Sequence, residues 1–153
     1  MRRFAAAFVA AMLFSLHAAA SALGPDGDPG LRLPGKVTWL DLATEDPASA
    51  RAFYGAVFGW NVTDFGGMPM YTLGQNGVAN AIDMPPGTPD EVPAYWVVIF
   101  GSADTDATAA KAAEAGGQVA VGPLDIEGVG RFAVLADPQG VYFGVISVEP
   151  AST

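Results

Sequence analysis

The sequence of 153 residues contains no cysteine and a single histidine, His17. Zinc and copper sites are built from imidazole and thiolate groups, and both Ser-His-Asp and Cys-His catalysis need an imidazole. These classes of chemistry are therefore excluded, together with redox dithiols and disulfide bridges. A site made only of oxygen ligands, as Ca²⁺, Mg²⁺ or Mn²⁺ prefers, is the one kind of metal site that stays open.

Basic side chains are also scarce, because 7 Lys and Arg residues face 16 Asp and Glu residues and give a net charge of −9. A chain of this charge repels the phosphates of nucleic acids and anionic lipids. We therefore expect a small-molecule ligand as partner, and neither nucleic acid nor a membrane surface.

The first 22 residues have the pattern of a bacterial signal peptide. Arg2 and Arg3 precede an apolar run over residues 4–20, and small residues lead to a cleavage site after Ala22. We expect removal of this peptide, with His17, and a secreted or periplasmic protein. An uncleaved membrane anchor is the alternative.

The rest of the chain divides into a Pro- and Gly-rich lead-in at 23–35, a domain at 36–149 and a short tail at 150–153. Within the domain, the order strand, helix and three strands occurs twice, in modules 36–84 and 94–148. A linker with four prolines, residues 85–93, separates them. Asp46 and Asp104 are predicted to cap the two helices. In the second module we expect the first strand after the helix at 118–121, and a loop at 122–130.

The two modules align with an offset of 57 residues, which pairs Trp39 with Trp96 and Gly59 with Gly116. Chance likeness in an Ala- and Gly-rich chain is the alternative explanation. The repeat predicts an α+β fold in which two βαβββ modules form an open, eight-stranded mixed sheet around a concave cleft. A cleft of this kind is the usual place for a ligand.

Several segments resemble the vicinal-oxygen-chelate superfamily, which includes glyoxalase I, extradiol dioxygenases and the bleomycin resistance proteins. They are VTWLDLATEDPASARAFYGAVFGW, AYWVVIF and GVGRFAVLADPQGVYFGV. The resemblance covers residues 36 to about 148 and implies the glyoxalase-like fold.

Metal-dependent members of this superfamily hold a divalent ion with one residue near each of four strands. Carried over, these positions fall on Trp39, near Ala81, on Trp96 or Val97, and on Gly144. None of these side chains coordinates a metal. The resemblance thus predicts the fold without a metal site, and we expect no cofactor.

Alternation along each strand fixes which residues accompany these positions in the cleft. Trp39 brings Asp41, Ala81 brings Asp83, Trp96 brings Val98 and Phe100, and Gly144 brings Tyr142. The predicted ligand-binding residues are Trp39, Asp41, Trp96, Val98, Phe100 and Tyr142.

Three hypotheses follow from this cleft. In the first, Trp39 and Trp96 clamp a flat or cationic organic molecule. In the second, Asp41 or Asp83 is the catalytic base of a metal-independent isomerase or lyase, with the two carboxyls as an acid/base pair. In the third, the cleft is filled by its own side chains, with the Trp39 indole bonded to Asp41 and with buried Asp satisfied by backbone amides or Arg131. Exposed strand edges also predict a homodimer.

Overall fold

A computed structural model describes residues 33–65, 68–74, 76–126 and 129–148, which form two βαβββ modules. The first module contains β1 (Val37–Thr44), α1 (Pro47–Phe58), β2 (Asn61–Phe65), β3 (Met68–Leu73) and β4 (Asn76–Asp83). The second contains β5 (Tyr95–Gly101), α2 (Thr105–Glu114), β6 (Gln118–Ile126), β7 (Gly130–Ala136) and β8 (Tyr142–Val148). The predicted signal peptide and the tail lie outside the described residues. In the described ranges, neither helix is long and apolar enough to cross a membrane.

The eight strands form one mixed sheet in the order β2-β3-β4-β1-β5-β8-β7-β6. Within the modules, β1 is parallel to β4 and β5 is parallel to β8. The modules meet where β1 pairs with β5 in antiparallel register. The predicted α+β fold of two repeated modules in an eight-stranded mixed sheet is confirmed.

Both helices begin at the predicted caps. The side chain of Asp46 accepts a hydrogen bond from the Ser49 N–H at 2.9 Å, and that of Asp104 accepts one from the Ala107 N–H at 2.9 Å. An aspartate at this position satisfies a backbone donor that the first turn leaves unpaired. The two caps stand at equivalent places in their modules and are 58 residues apart in the sequence.

The strand β6 differs from the prediction, because it does not stop at Val121 and continues to Ile126. Its register with β7 shifts twice around Gly122, which breaks the alternation that would have revealed a strand. Gly122 has φ +79°, and a Cβ there would lie 2.8 Å from the Phe132 carbonyl oxygen. The expected loop at 122–130 is therefore wrong over most of its length.

The sheet has an outer face, which carries both helices, and an inner face opposite to them. Side chains of β1, β4 and β5 pack beneath α1 on the outer face, while β7 and β8 supply the residues beneath α2. The inner face holds the largest apolar cluster. Its buried members are Trp39, Met70, Val97, Ile99, Ile126, Val129, Phe132, Val134 and Ile146.

Candidate functional site

The relation between the modules decides which side chains share the inner face. Counted from the caps, Trp39 and Val97 both lie seven residues before an aspartate, so the offset along β1 and β5 is 58 and not 57. In the sheet, Trp39 is opposite Ile99, and Leu42 is opposite Trp96. An error of one residue turns every side chain of a strand to the other face. The sequence comparison therefore placed the β5 side chains on the wrong face.

The predicted ligand-binding residues on β5 face the helices. Trp96 packs beneath α1, where its Nε1 donates a hydrogen bond to the Tyr54 hydroxyl at 3.2 Å. Val98 and Phe100 follow Trp96 at two-residue spacing and lie on the same outer face. The prediction that these three residues line the inner cleft is wrong. Trp39 and Trp96 cannot clamp one ligand, because the sheet separates them.

Trp39 occupies the centre of the inner face, as predicted, and is 1% exposed. Its Nε1 donates a hydrogen bond to Asp41 Oδ1 at 3.0 Å. The third hypothesis predicted this hydrogen bond, and its geometry is confirmed. The indole is surrounded by Met70, Val97 and Ile99, so it belongs to the inner apolar core.

Asp41 and Asp83 do not form the predicted acid/base pair. Asp41 is completely buried on the inner face, whereas Asp83 is exposed at the end of β4, opposite Thr44. Asp83 also follows Ala81 by two residues, and Ala81 packs beneath α1. The pairing of these carboxyls is therefore excluded by the direction of the β4 side chains.

The neighbour of Asp41 across the β1–β4 ladder is Asn80, which the sequence analysis missed. Asn80 is 1% exposed and is paired on its other side with Met70 of β3. Its Oδ1 has no hydrogen-bond partner among the described residues. A single amide between Ala79 and Ala81 was the available signal, but the repeat pointed to Ala81, one residue further along.

The superfamily's four metal positions can now be placed on the inner face, at Trp39, Asn80, Val97 and Gly144. A Cβ at Gly144 would lie 2.9 Å from Ile99 Cγ1 and 3.0 Å from Phe132 Cε2, so the glycine leaves no space for a ligating side chain. Asn80 offers the single oxygen ligand of the four, which does not fit the six to eight oxygens of a calcium site or an octahedral magnesium site. The described ranges contain no group of three or more His, Cys, Asp or Glu residues that could hold an ion.

Two tyrosines lie nearer the margins of the inner face. Tyr142 is 43% exposed and lies opposite Ala136 at the start of β8, so it stands at the rim. Tyr95 lies opposite Ala43, and burial raises the pKa of its hydroxyl.

Arg131 does not reach Asp41, which removes one of the partners considered for that carboxyl. The Arg131 guanidinium instead binds the carboxylates of Asp106 on α2 and Asp125 on β6. The hydrogen bond from Arg131 lowers the pKa of Asp106 below its ordinary value. This group ties α2 to its sheet and takes no part in the inner face.

The sequence profile of the Glyoxalase/Bleomycin resistance protein/Dioxygenase superfamily matches residues 36–145. CFP32 of Mycobacterium bovis, which is named as a glyoxylase, is 46% identical over 123 residues, covering 76% of this chain and 45% of CFP32. The anthracycline biosynthesis protein DnrV of Streptomyces peucetius is 37% identical over 128 residues, covering 73% of this chain and 46% of DnrV. The chain thus spans about half the length of these curated relatives.

Among solved structures, the chain is similar to the methylmalonyl-CoA epimerase of Streptomyces coelicolor with 2-nitronate-propionyl-CoA bound. The TM-score is 0.52 at 19% identity, over 79% of this chain and 99% of the epimerase chain. At this identity the likeness shows the fold alone. Taken with the profile match over most of the domain, it places the chain in a known group: it belongs to the Glyoxalase/Bleomycin resistance protein/Dioxygenase superfamily.

Proposed function

We propose that this domain binds a small organic molecule at the inner face of its first module, without a metal ion. The observation that carries the proposal is Asn80 Oδ1, a buried acceptor that lacks a hydrogen-bond partner among the described residues and lies beside the buried Asp41. Leaving such a group unpaired costs about 1–3 kcal/mol. A donor supplied by a ligand would recover that free energy.

The groups around Asn80 define the ligand. The Asn80 Oδ1 and the Asp41 carboxyl both accept hydrogen bonds, so the ligand must present a hydroxyl or amine donor. Trp39, Met70 and Val97 supply apolar contacts for the body of the molecule. The net charge of −9 disfavours anionic ligands. An anthracycline, the class in the name of DnrV, meets these demands because it is flat and carries hydroxyl groups.

Access to Asn80 requires a side chain to move, because Asn80 and its neighbours are closed off from solvent. Met70 lies directly opposite Asn80 in the β3–β4 pair and is 0% exposed. A methionine has three rotatable side-chain bonds and adapts readily to a new neighbour. We infer that Met70 moves aside when the ligand binds.

Titration with an anthracycline tests the proposal, with quenching of tryptophan fluorescence as the readout. We expect saturable binding that weakens about tenfold in Asn80→Leu, since a hydrogen bond contributes about 1 kcal/mol and its loss is accompanied by lost complementarity. Asn76→Leu, an exposed position on the same strand, is the matched control and should bind as the wild type does. Met70→Ala should speed association by removing the cover. Equal affinity in all three variants, or no binding by the wild type, would contradict the proposal.

A metal-independent isomerase or lyase is the second candidate, and it depends on Asp41 alone. A completely buried carboxyl on the inner face is the observation that favours it. The test compares Asp41→Asn with the wild type in folding, by circular dichroism, and in turnover of candidate carbonyl substrates. Retained folding with lost turnover would support this candidate. If neither binding nor turnover is found, the inner face is a filled core and the protein acts through its outer surfaces.

We also infer that the protein is exported and forms a homodimer. The signal-peptide pattern supports export, and amino-terminal sequencing of the protein from culture fluid or periplasm should then begin at Leu23. The exposed Phe53 and Val57 of α1, near the edge strand β2, support pairing with a second copy. Light scattering should detect a dimer that Phe53→Glu disrupts and Lys111→Glu on α2 does not.

A further inference from the structure

The outer face of the second module contains a cavity of about 350 Å³. It lies between α2 and the strands β5 and β8, with Phe100, Ala107 and Phe143 among its lining residues. This volume is near the lower limit of known ligand pockets, which is about 300 Å³. The sheet separates this cavity from Asn80, so it is distinct from the site proposed above.

The cavity exists because α2 has small side chains where α1 has large ones. Counted from the two caps, Tyr54 and Ala112 are equivalent. The Tyr54 ring fills the space beneath α1, with its centroid 5.1 Å from that of Trp96 and 6.2 Å from that of Tyr71. An alanine at the equivalent position cannot fill the space beneath α2. The strand side chains there are left with apolar surface that no helix residue covers.

The lining residues indicate an aromatic ligand. The rings of Phe100 and Phe143 meet edge to face with centroids 5.9 Å apart, and they form one wall with Val145. A third aromatic ring can pack against this pair in the same manner, a contact of about 0.5–1.5 kcal/mol. A cavity of this size accepts a single ring with small substituents.

The polar groups of the cavity indicate that the ligand carries a hydroxyl and no net charge. The Ser102 and Thr108 hydroxyls are hydrogen-bonded to each other at 2.8 Å, and the Ser102 oxygen also accepts from the Asp104 N–H at 3.1 Å. Thr108 retains hydrogen-bonding capacity toward the cavity. Asp104 and Lys111 provide one charge of each sign, two helical turns apart, so neither sign is favoured.

We propose that this cavity is a second binding site, which takes a small uncharged aromatic alcohol. The ring packs against Phe100 and Phe143, and the hydroxyl bonds to Thr108. Ligand and solvent reach the cavity from the side of α2, without any change at the inner face. The two sites of the domain therefore bind independently of one another.

Titration with phenol, followed by amide chemical shifts in NMR spectra, tests this proposal on the full chain. We expect saturable shifts in α2 and β5, and a loss of affinity of at least tenfold in Ala107→Phe, which places a ring in the cavity. Ala107 is exposed, so this change does not disturb the core. Ala110→Phe is the matched control, because Ala110 is exposed on the same helix and does not line the cavity.

Further comparisons separate this site from the inner face and define the ligand class. Asn80→Leu should leave phenol binding unchanged, whereas loss of phenol binding in Asn80→Leu with retention in Ala107→Phe would overturn the proposal. Benzoate and benzylamine should bind more weakly than phenol. Equal binding of all three compounds, or no saturable shift with phenol, would also overturn it.

Discussion

The inner faces of the two modules have the same backbone and different chemistry. In the first module, Asp41 and Asn80 are neighbours across the parallel pair β1–β4. At the equivalent pair β5–β8 of the second module, Ile99 is the neighbour of Gly144. One half of the inner face therefore carries buried polar groups, while the other is apolar. A repeated fold does not need repeated side chains, and the polar half is the one that requires an explanation beyond stability.

The outer faces differ in the opposite sense. No residue of α1 is buried, yet its Tyr54 and Phe58 join an aromatic cluster with Trp60 of the following segment. The helix α2 is rich in alanine and buries Thr105, whose hydroxyl donates to the Arg131 carbonyl oxygen at 2.8 Å. Large rings hold the first helix to its sheet, whereas small residues and hydrogen bonds hold the second. The gap that remains beneath α2 is the result.

The largest expected effect comes from truncating the two tryptophans, which lie on opposite faces. Trp39→Ala should lower the free energy of unfolding by about 3–5 kcal/mol, because it removes a buried ring and leaves Asp41 without its indole donor. Trp96→Ala removes a partly exposed ring and should cost less. Urea denaturation of both variants checks this order. Equal losses would contradict the assignment of Trp39 to the inner core.

A smaller effect is expected at the equivalent positions Gly144 and Asn80. Gly144→Ala should cost about 1–3 kcal/mol, because its Cβ would overlap Ile99 and Phe132. Asn80→Leu should be neutral or stabilise the protein by about 1 kcal/mol, since it removes a buried unpaired acceptor at nearly constant volume. Thermal unfolding of both variants in the absence of ligand is the measurement. A strongly destabilised Asn80→Leu would mean that the amide has a structural role.

The smallest effects separate two tyrosines of the outer face. Burial raises the pKa of Tyr71 to about 12, and its hydroxyl has no hydrogen-bond partner among the described residues. The unfolded chain ionises first, so stability is complete below pH 10 and is lost as the pH rises from 10 towards 12. Tyr71→Phe should reduce this alkaline loss with little change at pH 7. Tyr54→Phe removes the acceptor of the Trp96 indole and should cost about 1 kcal/mol at pH 7.

The sequence was sufficient for the fold and for part of the site. The Asp caps, the short apolar runs and the repeated order of elements predicted both helices and the mixed sheet. The inner face was harder, because strand alternation carries an error of one residue into every side chain. Alignment on the paired tryptophans gave the offset 57, whereas alignment on Asp46 and Asp104 gives 58 and places Val97 and Asn80 correctly. The packing of Ile99 against Gly144 arises between strands and has no local signal.

The antiparallel pairing of β1 with β5 has a consequence for motion. Backbone hydrogen bonds run across the boundary between the modules, so the two halves cannot swing apart like the lobes of a hinged enzyme without breaking the sheet. Any opening of the inner face must come from rotamer changes or from the distal strands, such as the β2–β3 hairpin. The molecule therefore admits a guest by local rearrangement of a rigid frame, and its binding kinetics should depend more on Met70 than on the linker between the modules.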